Sequence, residues 1–275
     1  VNLLIQDLRI DGNKANQTSG IMYGIYLNGV VYSKITDCWV EGNRQHGIIL
    51  WSSNNNTVTG NTCQGNGQHG IFVYDSSYNN TVTGNTCQGN ICDGICVGWN
   101  VGNNTVTGNT CTGNVSHGIS LWAVSNNNTV SGNTCQGNSQ DGIQLEHSSN
   151  NTVTGNTCQG NGQNGIILWS VDGSPTNNNT VTGNTVVGNS QAANNTYDGI
   201  YISANSDYNN VQGNTVRRGT GGNQQRYGIR IQLATCDNNL VINNDLYQAG
   251  VTGDYSDAGT GTIYHNNRTT AGWVP

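Results

Sequence analysis

The chain carries little charge. Only 9% of its 275 residues are Asp, Glu, Lys or Arg, its only lysines are Lys14 and Lys34, and its formal net charge is −6. It has no basic stripe that would neutralise phosphates, which argues against nucleic acid as a partner. No apolar run is long enough to cross a bilayer, so membrane insertion is not expected. No charged-then-apolar leader opens the chain at Val1. Apolar residues nowhere recur at i, i+3, i+4 and i+7 in the repeats, so helices are not expected there. A hydrophobic share of 33% is low for an ordinary globule but suits a chain whose core is one narrow column.

What the chain does have is a repeated phrase. Asn-Asn-Thr-Val-Thr-Gly-Asn-Thr-Cys-Gln-Gly-Asn starts at Asn55, close copies start at Asn79, Asn103, Asn127 and Asn150, and worn copies follow near Asn178, Asn209 and Asn238. A Gly-Ile pair follows each of the first seven copies, from Gly70-Ile71 to Gly228-Ile229, and the step is 23 or 24 residues through Ile166 and longer afterwards. A fixed period of this size means a repeat architecture. Within one period, Thr57-Val58-Thr59 and Thr62-Cys63-Gln64 alternate as half-buried strands, and Ile71 to Tyr74 is a third strand. Gly60-Asn61 and Gly65-Asn66 suit sharp bends. Three short strands and three bends make a triangular coil, whose strands pair with their copies in the next coil. Val58, Val82, Val106, Val130, Val153, Val181, Val211 and Val241 then share one inward column. Cys63, Cys87, Cys111, Cys135 and Cys158 share a second, preceded by Val40 and continued by Val186, Val216 and Leu246, and Ile71 and its equivalents fill a third. Roughly nine coils at a strand spacing of about 4.8 Å give a rod about 40 Å long.

The Asn-x-Val-x-Gly-Asn and Gly-Ile phrases, with the opening Leu8-Arg9-Ile10-Asp11-Gly12-Asn13, resemble the right-handed parallel β-helix, pectate-lyase-like superfamily over nearly the whole chain. The resemblance implies an all-β, single-stranded right-handed solenoid with three strands per coil. It also implies that the bend asparagines Asn61, Asn85, Asn109, Asn133, Asn156, Asn184 and Asn214 stack as an amide ladder. It implies no single activity, because enzymes, phage fibres and surface proteins share the scaffold. Residues 1–253 read as the solenoid, with regular coils over about 33–190 and longer ones over about 191–253. Residues 254–275 drop the Gly-Asn phrase and read as a C-terminal cap across the last coil. The N-terminal end shows no cap, so the expectation is either that a leader or upstream coils have been removed or that another molecule covers that end.

The five column cysteines have parallel Cβ vectors, poor geometry for bridges, and read as a reduced thiol ladder. Cys92 and Cys96 flank Asp93-Gly94 and could pair or bind metal, and His46, His69 and Asp93 could hold a metal, but nothing nearby in sequence completes a four-ligand set, so no metal and no cofactor are expected. The residue before each Gly-Ile forms another column: His46, His69, Asp93, His117, Asp141, Asn164, Asp198 and Tyr227. His69, Asp93, His117, Asp141 and Asp198, with Arg230, are the candidates for acid–base chemistry. The same column also suits plain polar residues at a turn. Trp51, Tyr74, Trp122 and Trp169, with Phe72 and Tyr201, are expected to form an exposed aromatic stripe and are the candidate binding residues.

Lyases of the superfamily use Ca²⁺-binding carboxylates and a basic residue, and its polygalacturonase-like hydrolases use Asp-Asp and Gly-His-Gly phrases. Neither phrase is present here. The leading expectation is therefore a non-enzymatic extracellular solenoid of a surface layer, sheath or fibre, contacting copies of itself or other surface proteins. The alternative is a polysaccharide-binding or polysaccharide-processing domain, lyase-, hydrolase- or epimerase-like, using the stripe. A minor alternative is ice binding through the outward Thr-x-Thr array at Thr57/Thr59, Thr81/Thr83 and Thr105/Thr107.

Overall fold

The computed structural model describes residues 2–16, 19–20, 22–170 and 173–274. One coil has three strands, Thr57–Thr59, Thr62–Gln64 and Ile71–Tyr74. Each pairs in parallel and in register with its copy 24 residues on, so that Val58 lies beside Val82, Cys63 beside Cys87 and Ile71 beside Ile95. Repeated along the chain, this gives three parallel sheets of 11, 9 and 10 strands among the described residues, about ten coils in all. Among the described residues the helix content is one 3₁₀ turn at Lys14–Asn16.

Two kinds of glycine make the coil possible. Gly60 and Gly65 bend the chain at φ 66° and 60°. Gly70 serves close approach instead, because a Cβ there would lie 2.6 Å from the carbonyl oxygen of Gly94 in the next coil. The Val, Cys and Ile columns are fully buried and form one continuous core. All nine cysteines are free, and burial pushes the Cys111 thiol up.

The amide ladder forms as expected. Asn109 Nδ2 donates to Asn133 Oδ1 at 2.9 Å and to the Val82 carbonyl at 2.9 Å, while its own Oδ1 accepts from the N–H and Nδ2 of Asn85. The ladder continues past Asn214 to Asn244 and Asn267. Two further ladders stand at the other corners. One runs through Asn56, Asn80, Asn104 and Asn128, the other through Asn43, Asn66, Asn90 and Asn114. They satisfy polar groups that a buried turn would otherwise strand.

The tail differs from the expected cap. Gly253–Asp257 pairs in parallel with Tyr227–Ile231, and Ile263–His265 with Leu240–Ile242, so the chain makes one more coil instead of lying across the last one. Only Gly272–Val274 turns back, antiparallel to Asn267–Thr269. Tyr255 and Tyr264 continue two inward columns and stack at 3.9 Å against the core. The coil pairing persists without the Gly-Asn phrase because the ladder asparagine Asn267 still accepts from Asn244.

Candidate functional site

The first and second sheets present near-uniform outer faces, including the in-register Thr57, Thr81 and Thr105 column. The outer face of the third sheet is where the coils differ. Its outward column reads Tyr26, Ile49, Phe72, Cys96, Ser120, Gln144, Ile167, Tyr201, Arg230. Beyond it lies a second column of Trp51, Tyr74, Gly98, Trp122, Glu146 and Trp169.

The expected exposed stripe needs correcting. Phe72 and Ile167 are each 7% exposed and Ile49 is 1% exposed. These side chains do point away from the core, but Tyr23, Trp51, Tyr74 and Trp122 cover Ile49, Phe72 and Cys96, making a second, smaller apolar cluster outside the sheet. Strand spacing explains this: bulky groups one coil apart touch and bury each other. Trp51 and Tyr74 lie 4.9 Å apart, ring to ring. Trp51, Tyr74, Trp122 and Trp169 are half-buried. The Trp169 indole N–H is buried and has no hydrogen-bond partner among the described residues.

The column before the Gly-Ile pairs is a polar ladder. The backbone N–H of each residue donates to the side chain of the one before it: His69 to His46, Asp93 to His69, His117 to Asp93, Asp141 to His117, Asn164 to Asp141, Asp198 to Asn164 and Tyr227 to Asp198. This explains why His, Asp and Asn interchange there, since each offers an acceptor at the same reach. The ladder also brings charged groups together. His69 Nδ1 lies 3.2 Å from Asp93 Oδ2, and His117 Nδ1 lies 3.3 Å from Asp141 Oδ2. Burial pulls His46 down to about 3, helped by His69. His117 is also buried, but its bond to Asp141 and the charges of Asp93, Asp141 and Glu146 outweigh burial and raise it. Asp198 accepts both Arg226 Nε at 3.1 Å and Arg226 Nη2 at 2.8 Å. Burial nonetheless pushes its carboxyl up. Arg230 lies 3.8 Å from Asp198 and packs over the Tyr201 and Tyr227 rings.

Three clefts open over this face. One of about 220 Å³ is walled by His69, Asp93, His117, Ser120, Trp122 and Glu146. The next, of about 320 Å³, shares His117, Gln144 and Glu146 with it and adds Asp141 and Trp169. The last, of about 400 Å³, shares Gln163, Ile167 and Trp169 with the second and ends at Asp198, Tyr201 and Arg226. Together they make one groove along the coil axis. The lengthened coils wall its far end, through Thr196 and Tyr197. Of the residues singled out from the sequence, His69, Asp93, His117, Asp141, Asp198, Trp122, Trp169 and Tyr201 line the groove. Trp51, Tyr74, Phe72 and Arg230 do not line it. Glu146, Gln144 and Arg226 line it without having been anticipated. Glu146 could have been found, since it replaces an aromatic residue in its column. A larger cavity of about 860 Å³ lies off this face, around Arg217 and Arg218, with no histidine or carboxylate in its wall.

The model of the right-handed β-helix region matches residues 5–134, and that of NosD, a periplasmic copper-binding protein, matches residues 72–198. Among solved structures, the A-module of mannuronan C-5 epimerase AlgE6 from Azotobacter vinelandii aligns over 95% of this chain and 74% of its own. That alignment has a TM-score of 0.74 and 19% identity. The chain is a right-handed parallel β-helix solenoid. The periplasmic alginate epimerase AlgG matches 94% of this solenoid and 69% of its own chain, with a TM-score of 0.58 and 15% identity. The Dettilon tailspike protein matches 94% of it and 60% of its own chain, with a TM-score of 0.55 and 17% identity. At these identities the likeness is one of fold. No curated protein matches by sequence. Among the described residues, no helix is long and apolar enough to cross a membrane.

Proposed function

We propose that the solenoid binds and processes a polysaccharide along the groove on its third sheet, in the periplasm or outside the cell. The groove itself carries this reading. Its wall runs from His69 to Arg226 across seven coils, roughly 29 Å at the strand spacing, and so suits an extended polymer better than a small metabolite. Trp122 and Trp169 stand on one side and the His/Asp/Asn ladder on the other. A sugar hydroxyl that displaces what covers the buried Trp169 N–H would supply the acceptor it lacks among the described residues. His117 beside Asp141, with Glu146 across the cleft wall, offers an acid and bases for proton transfer at a sugar carbon or glycosidic oxygen. The surface-assembly expectation rests on the near-identity of the coils, and the third sheet is where that identity fails.

The experiment is calorimetric titration with oligosaccharides of mannuronan, of alginate and of a neutral glucan, the first two because the epimerases of like fold are named for them. Products are followed by NMR. Trp169→Ala should weaken binding about tenfold, roughly 1.4 kcal/mol, while Thr105→Ala on the first sheet leaves it unchanged. If no glycan binds, or if both variants lose affinity equally, the groove reading fails.

A further inference from the structure

Over one stretch the third sheet loses its bulky outward side chains. Ile49 and Phe72 give way to Cys96 and Ser120, and Trp51 and Tyr74 give way to Gly98. The polar ladder requires none of these changes, because its rungs lie in another column. Together they make a recess. Gly98 leaves a space that the Trp122 indole fills, since a Cβ there would lie 2.3 Å from Trp122 Nε1. Folded down in this way, the indole N–H donates to Cys96 Sγ at 2.9 Å. Beneath the indole, one donor atom each from His69, Asp93 and Cys96 lie within 4.8 Å of one another. The Asp93 carboxylate is already oriented, with Oδ2 accepting from Ser120 Oγ at 2.7 Å and Oδ1 from the His117 N–H at 3.0 Å. His69 and Asp93 line the 220 Å³ end of the groove.

We propose that His69, Asp93 and Cys96 form a binding site for a borderline-soft transition-metal ion of the zinc kind. An imidazole nitrogen, a carboxylate oxygen and a thiolate sulfur make the mixed donor set such an ion takes, whereas Ca²⁺ and Mg²⁺ require oxygen ligands. Donors in a tetrahedral zinc site stand roughly 3.5 Å apart, so atoms within 4.8 Å of one another need close by no more than about 1.3 Å. The partly exposed His69 ring is placed to make that movement. Binding releases the Cys96 thiol proton to solvent. Ser120 holds the carboxylate from outside the ligand set. Cys92, the other cysteine of this coil, lies outside the donor cluster.

The test is Zn²⁺ titration of the full chain by calorimetry under a phosphine reductant, with Co²⁺ as the optical probe. Three variants borrow residues that the same columns already carry: Cys96→Ser from Ser120, and Asp93→Asn and His69→Asn from Asn164. Circular dichroism checks that each keeps the fold. The expected result is one Zn²⁺ bound per chain, roughly tenfold or greater weakening in each variant, and a sulfur-to-cobalt charge-transfer band that disappears in Cys96→Ser and persists in Cys92→Ser. Absence of Zn²⁺ binding to the unaltered chain overturns the proposal. So does unchanged affinity in Cys96→Ser, or a charge-transfer band that survives that substitution.

Discussion

At the scale of single residues, position in a column decides what a side chain does. Cys111 sits between Cys87 and Cys135, with no exposure and no partner charge. Val186 and Val216 fill the same column further on, so Cys111→Val should cost less than about 1.5 kcal/mol. Cys111→Asp puts a lone charge into a dry column and should cost more than about 4 kcal/mol, or prevent folding. Chemical denaturation of both variants checks this, and equal stability of the two would show that the column is open to water. These inward columns are legible in the sequence because like residues recur at the coil step. The burial of Phe72 is not legible in the same way. Alternation tells which side of the strand it leaves from, but not that His69 and Tyr74 of its own coil and His46 of the coil before pack around its ring.

At the scale of elements, three-residue strands are too short to hold a sheet by themselves, and the corners hold them in place. Asn109→Ala removes an acceptor from the Asn85 N–H and a donor to Val82 and Asn133. It should lower stability by roughly 2–4 kcal/mol, whereas Thr105→Ala on the outer face should change it by less than about 0.5 kcal/mol. Thermal melts of the two variants make the comparison, and indistinguishable midpoints would mean that the ladder adds nothing to stability. The sequence reading found one of the three ladders. The other two use the second asparagine of the Asn-Asn pair and the asparagine after the second bend glycine, the same residue type at bends just as sharp. The recess at Cys96 was beyond reach for another reason. Trp122 reaches it from 26 residues away, and His69 from 27, so it exists only once coil is laid on coil.

At the scale of the whole molecule, two faces repeat and one does not. The repeating faces and the core make the rod, and the irregular face carries the groove, walled at its far end by the lengthened coils. The tryptophans are distributed so that binding to this face can be told from binding elsewhere. Trp122 and Trp169 line the groove, Trp39 lies on the second sheet and Trp273 in the terminal hairpin. The most direct measurement of the central claim is therefore an indole ¹H–¹⁵N NMR titration with alginate and mannuronan oligosaccharides. The account predicts that the Trp169 resonance moves most, as its unpartnered N–H gains an acceptor, that Trp122 follows, and that Trp39 and Trp273 stay in place. Movement of Trp39 or Trp273 with Trp169 unchanged would contradict it.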